Sequence, residues 1–241
     1  MTTQTEAHAA AESAEPSTLA ALILELDGVA VETRTALCEA ATSALKKAGV
    51  KLNPALFSRY GLSASPATIA QHLVEKLEVT GLSAEDLAAT LSQRLENHLG
   101  SEARLSTPVE KLIKVAQQRG LPVAVLTALP EELARPAMER LGLTASQVRL
   151  FAFKDEDKGG FPRADIWLKV AKGLGKSARF CVAVTSSQAS AKSALSAGMR
   201  CVAAPDSFTS HHDFGGVDVV LDSWDDLSAG ELLDAVAPLV R

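Results

Sequence analysis

Residues 21–33 read ALILELDGVAVET. Ala21 to Leu24 is a short apolar run of the kind that forms a strand buried on both faces, and Asp27-Gly28 closes it with a turn dipeptide. Strand alternation puts Glu25 and Asp27 on the same side of the chain. The carboxyl end of a central parallel strand is where open α/β sheets hold ligands. Two acids there make a candidate site, although acids can also simply solvate a strand end.

The pattern downstream supports a parallel sheet. From Thr107 onward, apolar strand-like runs alternate with amphipathic helices, as crossover connections require. The expected strands are 121–126, 148–153, 180–184, 200–203 and 217–221. The helices between them start at Thr107-Pro108-Val109-Glu110, read as a capping box, and at Pro130, Ala164 and Ser187. Pro136 is expected to kink or split the second of these. A last helix opens with a capping box at Ser228 and Glu231. Residues 33 to about 103 carry only helical periodicity. One helix runs from Thr33 to Ala48, another opens at Ser65-Pro66, and a third opens at Ser83 with Asp86 three residues on. His72 and His98 lie in this region and are read as packing residues.

Composition narrows the function classes. The chain has 241 residues, 47% hydrophobic and 22% charged, with a net charge of −5. That is enough for one substantial core plus a smaller module. No basic face is implied, so neither nucleic acid nor an anionic membrane is an expected partner. No apolar run is long enough to span a bilayer. Residues 1–17 are small and polar without periodicity, and read as a disordered tail lacking the features of an export signal. The three cysteines, Cys38, Cys181 and Cys201, lack metal-ligand spacing and read as buried thiols in a reducing, cytoplasmic setting.

The stretch Glu25-Leu26-Asp27-Gly28-Val29-Ala30-Val31-Glu32-Thr33 resembles the first motif of the haloacid dehalogenase superfamily, in the subgroup of β-phosphoglucomutases and sugar-phosphate phosphatases. The resemblance implies a doubly wound, Rossmann-like α/β core of residues 18–32 and 104–241, with residues 33–103 inserted as a helical cap domain. In the family the first acid is an aspartate that attacks phosphorus, and the second works as general acid and base. Here Glu25 stands at the nucleophile's position and Asp27 at the second. One extra methylene displaces the carboxylate, and a misplacement of about one ångström can cost about a hundredfold in rate.

The other motifs follow in order. Thr127, in AVLTALP, aligns with the hydroxyl residue that holds the transferring phosphoryl group, with Ala128 where Asn is common. FPRADIW, residues 161–167, aligns with the lysine motif but has Phe161 at the lysine position; Lys158 and Arg163 are the nearby cations. CVAVTSSQASAKSALSAGM, residues 181–199, aligns with the motif that supplies acids to Mg²⁺, yet Thr185 and Ser186 replace both. Neutral hydroxyls hold Mg²⁺ poorly, so no metal site of the family type is expected. Residues 204–223, APDSFTSHHDFGGVDVVLDS, resemble the tail of phosphatases acting on sugar bisphosphates such as xylulose bisphosphate; the His211-His212-Asp213 run in it is a polar loop.

Two readings follow. In the first, the chain is a pseudo-phosphatase, without cofactor, that binds a protein partner or a small ligand in the cleft between core and cap. In the second, it is an active sugar-phosphate phosphatase with a rebuilt site. There Glu25 and Asp27 act on a phosphorylated small molecule, Gly28, Thr127, Ala128 and Ser186 hold it, and Lys158 or Arg163 supplies charge. Mg²⁺ enters only in that second reading. The backbone amides at Ser186 and Ser187 would favour an anion in either.

Overall fold

The computed structural model describes residues 19–62, 65–153 and 162–237. Strand β1 spans Ala21–Glu25, and all five of its residues are buried. It pairs in parallel with β2 (Val123–Thr127) on one side and β4 (Cys181–Thr185) on the other. With β3 (Arg149–Ala152), β5 (Arg200–Ala203) and β6 (Val219–Val220), the sheet has the order β3-β2-β1-β4-β5-β6, every pairing being parallel. The winding reverses beside β1, which opens a crevice at its carboxyl end. This is the expected doubly wound α/β core.

Alternation within the strands divides the core in two. Leu22 and Leu24 join Val125, Val182 and Val184 on one face, while Ala21 and Ile23 join Ala124, Ala183 and Cys201 on the other. The first face is covered by α5 (Thr107–Gln118), whose Val109, Leu112 and Ala116 are buried, and by α9 (Ala229–Ala235). The second is covered by α7 (Ala164–Gly173), which contributes Trp167 and Val170, and by α8 (Gln188–Ser196), which contributes Ala191 and Ala194. All three cysteines are free and buried.

Between β1 and β2 lie α1 (Arg34–Lys47), α2 (Pro54–Tyr60), α3 (Pro66–Lys76) and α4 (Ala84–Asn97), followed by a π-helical turn at His98–Glu102. Phe57, Leu73, Leu87, Leu91 and Leu95 are fully or almost fully buried among them. The two connections to the sheet are cross-tied. His98 Nε2 donates to Glu32 O at 2.7 Å, Ser106 N donates to Ala30 O at 3.0 Å, and Arg140 donates to Leu99 O and Ala103 O.

Local differences from the sequence expectation have physical reasons. Thr107 does not cap α5. It lies in the first turn, Ser106 takes the cap position without a side-chain bond, and the Ser106–Ala30 tie fixes where the helix begins. Helix α6 (Glu131–Arg140) runs unbroken through Pro136. Glu132, whose carbonyl loses its helical partner there, is exposed, so water can take the bond. Helix α2, which sequence periodicity did not mark out, is short and depends on its cap, Leu56 N donating to Asn53 Oδ1 at 2.9 Å with Pro54 in the first turn. The Ser228–Glu231 capping box is present in both halves. The tail at 1–17, and Lys158 and Phe161 in or beside the lysine motif, lie outside the described residues.

Candidate functional site

Of the two acids at the end of β1, Glu25 is buried and Asp27 half-buried, and they face different partners. Glu25 reaches toward the start of α8. Ser190 Oγ donates to its Oε1 at 2.6 Å, and the Ser186 backbone N–H donates to its Oε2 at 3.2 Å. Asp27 accepts from Thr127 Oγ1 at 2.9 Å and from Thr33 Oγ1 at 3.3 Å. Thr127 Oγ1 in turn accepts from Leu129 N at 3.1 Å, so the strand-end threonine orients the second acid as well as its own turn. Burial pushes Glu25 up to about 7, against the opposing pull of Ser190, Arg34 and Ser186. Burial also raises Asp27, against Thr127, Thr33 and Arg34.

Arg34, the first residue of α1, is the cation that the described residues bring to this site, and the sequence reading missed it. Its Nη1 pairs with Asp206 Oδ2 at 2.5 Å and its Nη2 donates to Ser186 Oγ at 2.8 Å. Both charged side chains are largely shielded, at 13% and 21% exposure. A cation in the first turn of a helix opposes the helix dipole, and α1 has no acid there to offset it. That misplacement was the available signal that Arg34 is held by something else.

Gly28 makes this arrangement possible. Its φ is +79°, and a Cβ there would stand 2.7 Å from Arg34 Cζ and from Ser186 Oγ. Gly28→Ala is therefore expected to cost about 1–3 kcal/mol, from left-handed strain and displacement of the guanidinium. Chemical denaturation measures it, and an unchanged midpoint would show that the turn and Arg34 yield freely.

The structure brings Glu25, Asp27, Thr127 and Ala128 to one cavity, with Arg34, Thr33 and Ser187 on its wall. Its roof is apolar, made by Leu37, Leu62, Ile69 and Leu95 of the helical insertion. The cavity, which is partly open to solvent, has a volume of about 60 Å³, room for a few waters. Ser186 sits beneath the site, fully buried, with its hydroxyl committed to Arg34. Arg163, expected as a source of charge, is not among the described residues lining this cavity. It precedes α7 and pairs with Asp165 at 3.0 Å, because the helix start that holds it faces its own first turn.

The donor set does not suit Mg²⁺. Thr185 and Ser186 are both fully buried hydroxyl residues. Ser186 Oγ is bound to a guanidinium, and Thr185 lies beside the Cys201 thiol. Among the described residues lining or bordering the cavity, a divalent ion at Asp27 would find no second carboxylate free of tight contacts, since Glu25 is held by α8 and Asp206 by Arg34.

No family model matches the chain. It is 31% identical over 147 residues to Protein CbbY of Cereibacter sphaeroides, covering 57% of this chain and 61% of that protein. To Hexitol phosphatase A of Escherichia coli (strain K12) it is 28% identical over 184 residues, covering 75% and 81%. Among solved structures, it matches that of CbbY from Rhodobacter sphaeroides in complex with phosphate with a TM-score of 0.73 and 22% identity, covering 87% of this chain and 96% of that one. A six-stranded parallel sheet with an acid pair at the end of its central strand is the framework of a haloacid dehalogenase-like protein. The chain has that superfamily's fold, and its homologues by sequence include CbbY and hexitol phosphatase proteins.

Proposed function

We propose that this protein has lost Mg²⁺-dependent phosphoryl transfer and uses the cleft between sheet and helical insertion to bind a small ligand or a protein partner. The observation that carries this reading is the Arg34 guanidinium fixed between Ser186 Oγ and Asp206. It is a resident cation where the resemblance calls for a metal. Glu25 supports the same reading, because both of its oxygens are engaged by the α8 start and none is presented toward the cavity free of a bond. In this account residues 33–103 act as a cap whose apolar roof offers a phosphate no cation beyond Arg34 among the described lining residues.

The alternative, a working sugar-phosphate phosphatase, keeps one observation in its favour. Glu25, pushed up to about 7, sits beside Asp27 tied to Thr127, so one of the two acids can exchange a proton near neutral pH. The relatives named as phosphatases lend it the same support they lend to common descent.

Phosphate release separates the two. Purified protein is assayed against sugar phosphates and bisphosphates with and without Mg²⁺, beside Glu25→Asp and Glu25→Ala. The expected result is no release above background from any of them, and no shift of the melting temperature on adding Mg²⁺. Release that depends on Glu25 would overturn the proposal and identify the substrate class.

A further inference from the structure

The connection from β5 to β6 and the end of β6 line an open groove of about 650 Å³. None of its described lining residues also lines the cavity beside Asp27. The Arg34–Asp206 pair joins the two, with Arg34 in the wall of the cavity and Asp206 in the wall of the groove. The connection is fixed by its own bonds. Asp206 Oδ1 accepts from Phe208 N at 2.9 Å and from Thr209 Oγ1 at 3.0 Å, and Gln188 N, at the start of α8, donates to His212 Nδ1 at 3.2 Å. A ring nitrogen that accepts a hydrogen bond carries no proton. His212 is therefore neutral, and its Nε2 is a donor rather than a metal ligand. Burial, then His211 and Arg34, push its pKa below the ordinary histidine value, against the pull of Asp206. Ser207, Ser210 and Asp222 also line the groove, and among the described residues their side chains form no hydrogen bond or ion pair. The Phe214 ring stands beside the imidazole with centroids 6.2 Å apart, and Val220 is one of two large apolar side chains exposed among the described residues.

We propose that this groove is a second binding site, separate from the cavity, for an uncharged polyhydroxy ring compound, a free sugar. Its volume is of the order of small-molecule sites, about 300–1,000 Å³. A sugar ring presents C–H groups on one face, which suit Phe214 and Val220, and hydroxyls around its edge. Those hydroxyls donate to the Asp222 carboxylate and accept from His212 Nε2–H, while Ser207 and Ser210 can do either. Charge narrows the class further. Asp206 is balanced by Arg34 and His212 is neutral, so Asp222 leaves the described lining with an unbalanced negative charge. A phosphorylated or carboxylated compound brings its own negative charge to Asp222, and an ammonium meets the His212 donor; both are disfavoured. The inference does not depend on what the cavity binds or on whether phosphoryl transfer survives.

Amide chemical-shift mapping on the full chain tests it, with D-glucose and D-xylose as uncharged probes and D-glucuronate and D-glucosamine as charged ones. The two uncharged sugars are expected to move amides of 207–215 and 220–222, with both charged sugars weaker there. Asp222→Asn should weaken glucose by about tenfold, because hydrogen bonds to a charged acceptor are lost, and Ser210→Ala by less. Asp225, an exposed acid of the next turn that is not among the described residues lining the groove, is the control, and Asp225→Asn should bind as the parent does. No movement with either uncharged sugar at about 100 mM, about a hundredfold above a millimolar Kd, overturns the proposal. So do shifts confined to residues of the cavity, an equal loss in Asp222→Asn and Asp225→Asn, or a charged sugar bound as tightly as glucose. Phosphate release plays no part in these outcomes, so this site and the loss of catalysis can fail separately.

Discussion

Glu25→Gln is expected to stabilise the protein at pH 8 by about 3 kcal/mol and to change its stability little near pH 4.5. Burial raises the folded-state value from 4.5 to about 7, and each unit corresponds to about 1.4 kcal/mol. A raised carboxyl value means that the folded state binds more protons than the unfolded chain between those two pH values. Stability must then fall as pH rises through that window, and below it both states are protonated and the effect vanishes. Glutamine keeps the shape, an acceptor for the Ser186 amide and a donor for Ser190 Oγ, without a charge to desolvate. Urea unfolding at pH 5, 6, 7 and 8 should show a declining curve for the natural protein and a flatter one for the variant. Asp27, also raised by burial, keeps the flatter curve from becoming level. A variant less stable than the parent at pH 8 would mean that the bonds to the ionised carboxylate outweigh its desolvation.

The result bears on chemistry as well as stability. A carboxylate nucleophile must be ionised, and this one is driven toward its neutral form at physiological pH. The extra methylene of Glu25 carries the group toward α8, where the hydroxyl of Ser190 and the amide of Ser186 take it up.

The fold was legible because its signals are local. The apolar run at Ala21–Leu24, the alternation after Thr107 and the Ser228–Glu231 box each set an element by short-range periodicity or capping, and the parallel sheet follows from their order. The acid pair and Thr127 were legible for the same reason, since strand ends converge in a parallel sheet. Arg34 was not, because its partners Ser186 and Asp206 lie 152 and 172 residues away. The turn of Glu25 toward Ser190 was equally hidden, because it depends on side-chain torsions and on a helix that approaches from the far side of the sheet. Helix α2 escaped notice because its seven residues span too few turns to show a period.

Arg34→Met should be the most damaging single change at the site, costing about 2–3 kcal/mol at pH 8 and distinctly less at pH 5. Methionine is a long unbranched side chain that retains part of the packing and removes the charge. Breaking a fully buried pair costs about 3–5 kcal/mol and an exposed one about 0–1. With side chains 13% and 21% exposed, the Arg34–Asp206 pair falls between these limits. The pH dependence follows from the same charge. Arg34 opposes the upward shift of both Glu25 and Asp27, so its loss lets burial raise them further. More protons are then taken up on folding, and the decline of stability with rising pH becomes steeper. Arg34→Lys separates charge from geometry. An ammonium keeps the positive charge but lacks the planar fork that reaches Asp206 and Ser186 together, so an intermediate loss is expected. Denaturant midpoints of the three proteins at pH 5 and pH 8 decide the matter. If Arg34→Met matches the parent at pH 8, the guanidinium does not balance the acids, and its claim to the metal's place falls with that result. If the loss appears at pH 8 and shrinks at pH 5, the protein itself supplies the cation that a haloacid dehalogenase-like site otherwise takes from solution.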